Sequence, residues 1–120
     1  MREEGRAGYR KLEVWYKADE LAMAVYHATK QFPREELYGL TSQLRRAALS
    51  VPTNIVEGAG RHGKSWLKQF TSIALGSLAE TEYLLSFCHR LSYLDDSTYQ
   101  KLEALRQTVG RLLWNFYRSL

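Results

Sequence analysis

Four successive stretches of this chain repeat their apolar residues at three- and four-residue steps, and no stretch alternates apolar with polar residues as a strand does. The first runs from about Leu12 to Phe32, with Trp15, Ala18, Ala22, Val25, Thr29 and Phe32 on one stripe, and Pro33 stops it. Pro33–Gly39 has the proline and glycine of a helix–helix connection. The second stretch places Leu40, Leu44, Ala48, Val51 and Ile55 inward, and Gly58-Ala59-Gly60 is expected to end it through left-handed glycine positions. Pro52 lies inside that helix, where it removes one backbone bond at a cost of about 3 kcal/mol in an unadapted interior, so a kink is expected. The third stretch opens at Lys64 or Ser65, with Ser65 the better N-cap. It carries Leu67, Phe70, Ala74, Ser77, Leu78, Thr81, Leu85, Cys88 and Leu91 on one broad face to about Tyr93. Asp95-Asp96-Ser97 then forms a turn and cap, and the fourth stretch turns Tyr99, Leu102, Leu105, Val109, Leu112, Leu113, Phe116 and Leu120 inward. Helices of about 20 residues make rods of about 30 Å, and short links force neighbours antiparallel. The expected fold is therefore all-α, an up-down-up-down antiparallel four-helix bundle.

The chain has 120 residues, enough for one soluble domain with one core but not for two. Residues 1–10 show no helical repeat and are expected to form a flexible tail, leaving 11–120 as a single bundle domain. With Cys88 alone, neither an internal disulfide nor a multi-cysteine metal site can form, which suits a reducing, cytoplasmic setting. No apolar run approaches the ~20 residues of a membrane span, so neither insertion nor a membrane partner is expected.

A monomeric bundle should be polar on its outward faces. At about 100° per residue, however, Tyr16, Met23, Leu49, Tyr83 and Trp114 point away from their own core stripes. Either these are ordinary surface aromatics covered by Lys and Arg stems, or they meet further copies of the chain in a closed homo-oligomer. On the second helix Arg46, Ser50, Thr53 and Glu57 recur at steps of four, three and four, with Asn54 at the flank, forming a polar ridge opposite the apolar stripe. That ridge is a solvated face, part of a subunit contact, or a ligand surface. Arg46 and Glu57 lie ~16 Å apart along the axis, so each needs another partner.

Charge is concentrated in the same region. Of 17 basic and 13 acidic residues, Leu40–Phe70 holds Arg45, Arg46, Arg61, Lys64 and Lys68 against only Glu57, which is the whole net charge of +4.

Catalysis would need convergent titratable groups, but His27, His62 and His89 sit on three different segments without a metal-ligand or base-orienting spacing. Cys88 falls on a core stripe and reads as packing. Glu80 and Glu82 diverge by about 160° on a helix, so they cannot share a proton and are expected to pair with basic neighbours. Gly58–Ser65 (GAGRHGKS) matches the letters of a Walker phosphate loop, but it follows an amphipathic helix rather than a buried strand. No catalytic residue, metal or cofactor is expected. What survives is a glycine loop with Arg61, His62 and Lys64 at a helix start, a fair anion site.

The run Tyr38–Arg61 (YGLTSQLRRAALSVPTNIVEGAGR), followed by Phe70 and Ile73–Glu80 (IALGSLAE), resembles the bacterial four-helix-bundle proteins encoded in intervening sequences of 23S rRNA genes. The resemblance extends from about Leu12 to about Leu94; the last helix matches only in length and pattern. It implies a small bundle similar to the accessory protein of diversity-generating retroelements, assembling as a homopentamer with a basic surface suited to nucleic acid. The family's function is not established, and the ribosomal label sometimes attached to it reflects gene location. Its motif falls on Gln43, Arg46, Ser50, Pro52, Asn54, Glu57, Gly58 and Arg61, nearly the ridge that helical geometry picks out. Trp66 departs from the family, which often has a charged residue there, so no helix-start electrostatic role transfers to it.

These readings converge on a non-enzymatic oligomeric module that binds structured RNA or an RNA–DNA hybrid, with Arg45, Arg46, Arg61, Lys64 and Lys68 on phosphates. The competing expectation is a protein-interaction scaffold, for example for a polymerase or reverse transcriptase. In that case Trp114 and the ridge bind the partner and the basic excess serves solubility.

Overall fold

The computed structural model describes residues 8–120, so the expected tail through residue 7 lies outside the described residues. A 3-10 turn at Gly8–Lys11 is the first element described, with the Tyr9 ring edge-on to Trp15 at 4.8 Å. Four α-helices follow: α1 Glu13–Ala28, α2 Ser42–Gly60, α3 Lys64–Arg90 and α4 Asp96–Ser119, with no strand among the described residues. Each packs against the next and α4 closes on α1, giving the expected antiparallel four-helix bundle, 43 × 28 × 25 Å.

The core runs the length of the bundle, with Leu21, Val25, Leu44, Val51, Ile55, Leu85, Val109 and Leu113 all sealed from solvent. The periodic stripes are recovered with shifts of one residue. Val14, Leu21, Ala47 and Leu84 are buried beyond those expected, while Leu91 is exposed and Trp15 and Leu40 are only half-buried. Three of the four buried threonines resolve their own polarity: Thr29, Thr71 and Thr81 return their hydroxyls to carbonyls four residues back at 2.7–2.8 Å.

Helix ends depart from expectation in instructive ways. α1 tightens into a 3-10 turn at Thr29–Gln31 instead of running to Phe32, and Phe32 goes extended, as the residue before a proline prefers. The link to α2 continues through a 3-10 turn at Arg34–Glu36 and a wide turn at Leu37–Thr41. There Glu36 Oε1 accepts the Leu40 N–H at 3.2 Å. α2 continues through Pro52, a buried residue, so the proline does not end the helix.

The left-handed glycine is Gly63, with φ 99°, and it, not Ser65, is the N-cap of α3. Gly58 has a different reason to exist. A Cβ there would stand 2.9 Å from the Phe70 Cβ and 3.2 Å from Leu67, so Gly58 lets α2 and α3 approach closely. α3 ends in a 6→1 bond from Tyr93 N–H to the Cys88 carbonyl and a 5→2 bond from Ser92 N–H to His89, both 2.9 Å, with Ser92 at φ 66°. Asp95 caps α4 as expected, accepting the Thr98 N–H at 2.7 Å.

Candidate nucleic-acid interface

The five cations expected to meet phosphate fall into two groups at opposite ends of α2. Arg45 and Arg46 lie near its start, while Arg61 ends it and Lys64 and Lys68 open α3. Fifteen residues of helix separate Arg46 from Arg61, about 22 Å, so the two groups are well apart along the bundle.

Within the groups, intramolecular contacts sort the side chains. Arg45 Nε donates to Thr29 Oγ1 at 2.7 Å and Nη2 to the Tyr26 carbonyl at 3.4 Å, with the guanidinium 4.8 Å from the Tyr26 ring. Arg45 therefore ties α2 to the end of α1 and holds a fixed orientation. Arg61 pairs with Glu57 at 3.1 Å and lies over Trp66 and Phe70, at 4.7 and 5.1 Å from their centroids. This is the partner that Glu57 needed, found four residues on, and a surface pair of this kind is worth little in stability. Lys68 sits 5.3 Å over the Tyr117 ring. Arg46 and Lys64 are exposed and make no hydrogen bond or ion pair among the described residues, so both are free to meet an anion. No side chain caps the first amides of α3 beside Lys64.

The polar ridge of α2 divides as well. Ser50 Oγ shares a 2.7 Å hydrogen bond with Ser77 Oγ, and Asn54 Nδ2 donates to Ser50 Oγ at 2.9 Å and to its carbonyl at 2.8 Å. Ser50 thus bridges α2 to α3, with Asn54 bracing it from its own helix, and both side chains are half-buried. Thr53 returns its hydroxyl to the Leu49 carbonyl at 2.8 Å, and with Leu49 and Glu57 it stays outward.

The outward apolar groups are where the periodicity put them. Tyr16 is 64% exposed, Tyr83 59% and Trp114 48%, and Met23 and Leu49 are open too. Trp114 stacks on Tyr117 at 5.7 Å and Tyr83 tilts on Phe87 at 6.0 Å, so each is held by a neighbour on its own helix. Gly76 on α3 faces outward as well, with nothing within 4 Å of its missing Cβ.

Among the described residues, no three His, Cys, Asp or Glu side chains gather at a metal-binding spacing. Burial, with the Glu36 charge second, pushes the Cys88 thiol up to about 11, so the thiolate nucleophile is scarce at neutral pH. Glu82 meets Arg106 at 3.4 Å, and Arg106 also chelates Glu103, a tie between α3 and α4; the Glu103 bond raises the guanidinium's pKa. Glu80 shares a small cleft with Arg46 and Ser50. The Walker-like letters lie between two helices, an arrangement with no strand to present the loop. No helix of the described residues is long and apolar enough to cross a membrane.

Sequence reasoning missed the α1–α2 corner. Lys30 and Arg34 line a cleft with Arg45, and Arg46 lines the adjoining one with Tyr26 and Tyr38. No helical period relates these residues, and Glu35 and Glu36 cancel the local charge in the sequence.

No curated protein matches the chain. Among solved structures it resembles a Bacteroides thetaiotaomicron protein of unknown function from the S23 ribosomal protein family, at 24% identity and a TM-score of 0.80. The likeness covers 88% of this chain and 95% of the other, and it establishes the shared fold. The family model for the 23S rRNA-intervening sequence protein matches residues 10–115. With a bundle of this topology matched over nearly its whole length, the chain belongs to the 23S rRNA-intervening sequence protein family.

Proposed function

We infer that the protein is a non-enzymatic, cytoplasmic nucleic-acid-binding module that works as a homo-oligomer, five copies by the family resemblance. Its target is structured RNA or an RNA–DNA hybrid held mainly through phosphates. One observation carries the reading: on the segment that holds the whole net charge, Arg46 and Lys64 stand exposed without an internal partner. Arg61 and Lys68 stand over aromatic rings beside them, the combination of cation and aromatic surface that nucleic acids favour. Few cations per copy suffice if several copies bind one strand, because the later contacts form at high effective concentration.

The test is a titration against structured RNA, duplex DNA and an RNA–DNA hybrid at two salt concentrations, with particle mass from light scattering. Binding that weakens steeply with salt, from a particle several times 13.9 kDa, is expected. Charge reversal of Arg61, Lys64 and Lys68 should then lower both affinity and salt slope, and an unchanged slope overturns the reading. A second reading, a scaffold for another protein such as a polymerase or reverse transcriptase, is favoured by the half-exposed Trp114. It gains ground if an intact oligomer binds no nucleic acid at low salt.

A further inference from the structure

The α1–α2 corner has the makings of a site that charge counting along the sequence does not reveal. A cleft of 370 Å³ is lined by Lys30, Arg34, Arg45, Thr29 and Thr41, and one of 280 Å³ adjoins it across Arg45 and Leu37. The larger lies at the low end of the roughly 300–1,000 Å³ typical of small-ligand sites. Arg45 lines both, and its orientation is set in advance by Thr29 Oγ1 and the Tyr26 carbonyl and ring. These bonds use two of the guanidinium's five N–H donors, leaving three for a ligand. Lys30 and Arg34 are exposed and without an internal partner, as is Arg46 on the adjoining cleft.

Against these four cations the turn carries two carboxylates. Those of Glu36 are aimed away, at the Leu40 amide and the Tyr93 hydroxyl, and Glu35 is exposed. Beside the cations stands Tyr38, 93% exposed and in contact with no other ring. Fixed guanidinium, free cations and a bare aromatic face at one concave corner match a phosphate with its neighbouring base.

We propose that this corner holds one unpaired nucleotide of a structured nucleic acid, its phosphate on Lys30, Arg34 and Arg45 and its base stacked on Tyr38. An unpaired nucleotide fits better than a paired one because a base inside a duplex offers no face to a side chain. The inference rests on the proposed nucleic-acid function and narrows it: the α2–α3 cations track the backbone, and the corner selects loops, bulges or ends.

The experiment compares a labelled RNA hairpin with an unpaired loop against a blunt duplex of the same stem, by fluorescence anisotropy at several salt concentrations. AMP is included as the free-nucleotide arm. The hairpin should bind more tightly than the duplex. Tyr38→Leu should weaken the hairpin about five-fold or more and leave the duplex unchanged. The double variant Lys30→Gln, Arg34→Gln should reduce the hairpin's salt slope by about 1.4, at ~0.7 per lost contact. All three side chains are exposed and unpartnered, so circular dichroism should show intact helices.

If these variants bind like wild type while reversal at Arg61, Lys64 and Lys68 abolishes binding, the corner is not the site and the broader function stands. Equal affinity for hairpin and duplex, or AMP binding as tight as the hairpin's, overturns the proposed occupant. Wild-type protein that binds no nucleic acid overturns both.

Discussion

The hydroxyl of Tyr93 donates to Glu36 Oε2 at 2.9 Å across 57 residues of sequence, joining the end of α3 to the turn that feeds α2. Glu36's other oxygen holds the Leu40 amide, so one carboxylate clips two segments together. The bond to Glu36, then burial, raises the Tyr93 pKa above its ordinary 10.0. A raised acid pKa means that the folded state retains a proton the unfolded chain loses. This contribution is complete below pH 10 and lost as pH rises through the folded value. The wild type should therefore lose stability above pH 10 more steeply than Tyr93→Phe, and urea midpoints across pH 8–11 check it.

Gly58 and Gly76 both lie within helices and should respond to alanine in opposite directions. At Gly58 the new methyl meets the Phe70 Cβ at 2.9 Å and the Leu67 backbone at 3.2 Å, so α2 and α3 must separate, at a cost of about 1–3 kcal/mol. The Ser50–Ser77 bond joins the same two helices about two turns away. At Gly76 the methyl meets nothing within 4 Å, and the helix gains about 0.5–1 kcal/mol from reduced backbone freedom in the unfolded chain. Denaturant unfolding of the two variants reads the sign directly.

Ser92 terminates α3 at φ 66°, a conformation that costs an L-residue roughly 1–2 kcal/mol and glycine nothing. Ser92→Gly is expected to raise stability by about 1 kcal/mol. Gly63→Ala should do the reverse, because φ 99° with ψ 150° is essentially reserved for glycine. Thermal melts of both variants test the pair.

Bonds from Thr98 hold the Asp95 carboxyl below its ordinary 3.8. The carboxylate cap thus stabilises α4 at neutral pH, and its contribution is lost as pH falls below 3.8 through the folded value. Asp95→Ala should lower the melting temperature at pH 7, and the difference from wild type should shrink towards pH 2. A constant difference would refute the charged cap.

The exposed Trp114 and Tyr83 bear on assembly. If they join copies of the chain, replacing both by serine should reduce the particle mass in light scattering while the monomer keeps its helical content. If they serve another protein, the mass holds and only that contact is lost.

Much of the fold was legible because helical burial is a local, periodic property. The inward stripes of α1 to α4, the Asp95 cap and the outward Tyr16, Tyr83 and Trp114 follow from where apolar residues recur at 3.6 per turn. The clustering of cations in Leu40–Phe70 is equally a matter of counting. What the cations touch is not. Arg45 is committed to Thr29 and Arg61 to Glu57, while Arg46 and Lys64 remain free. These partners depend on side-chain reach across a turn or between helices.

Sequence alone determined the four helices, their antiparallel order and the charged stretch, because backbone hydrogen bonding and amphipathic burial act within a few residues of chain. Tertiary structure decided the rest. It made Gly58 a contact rather than a terminator, joined Ser50 to Ser77 across α2 and α3, and brought Lys30, Arg34 and Tyr38 to one corner. Each of these depends on how close two helices come and which way a turn folds back, distances that no periodicity in the sequence encodes.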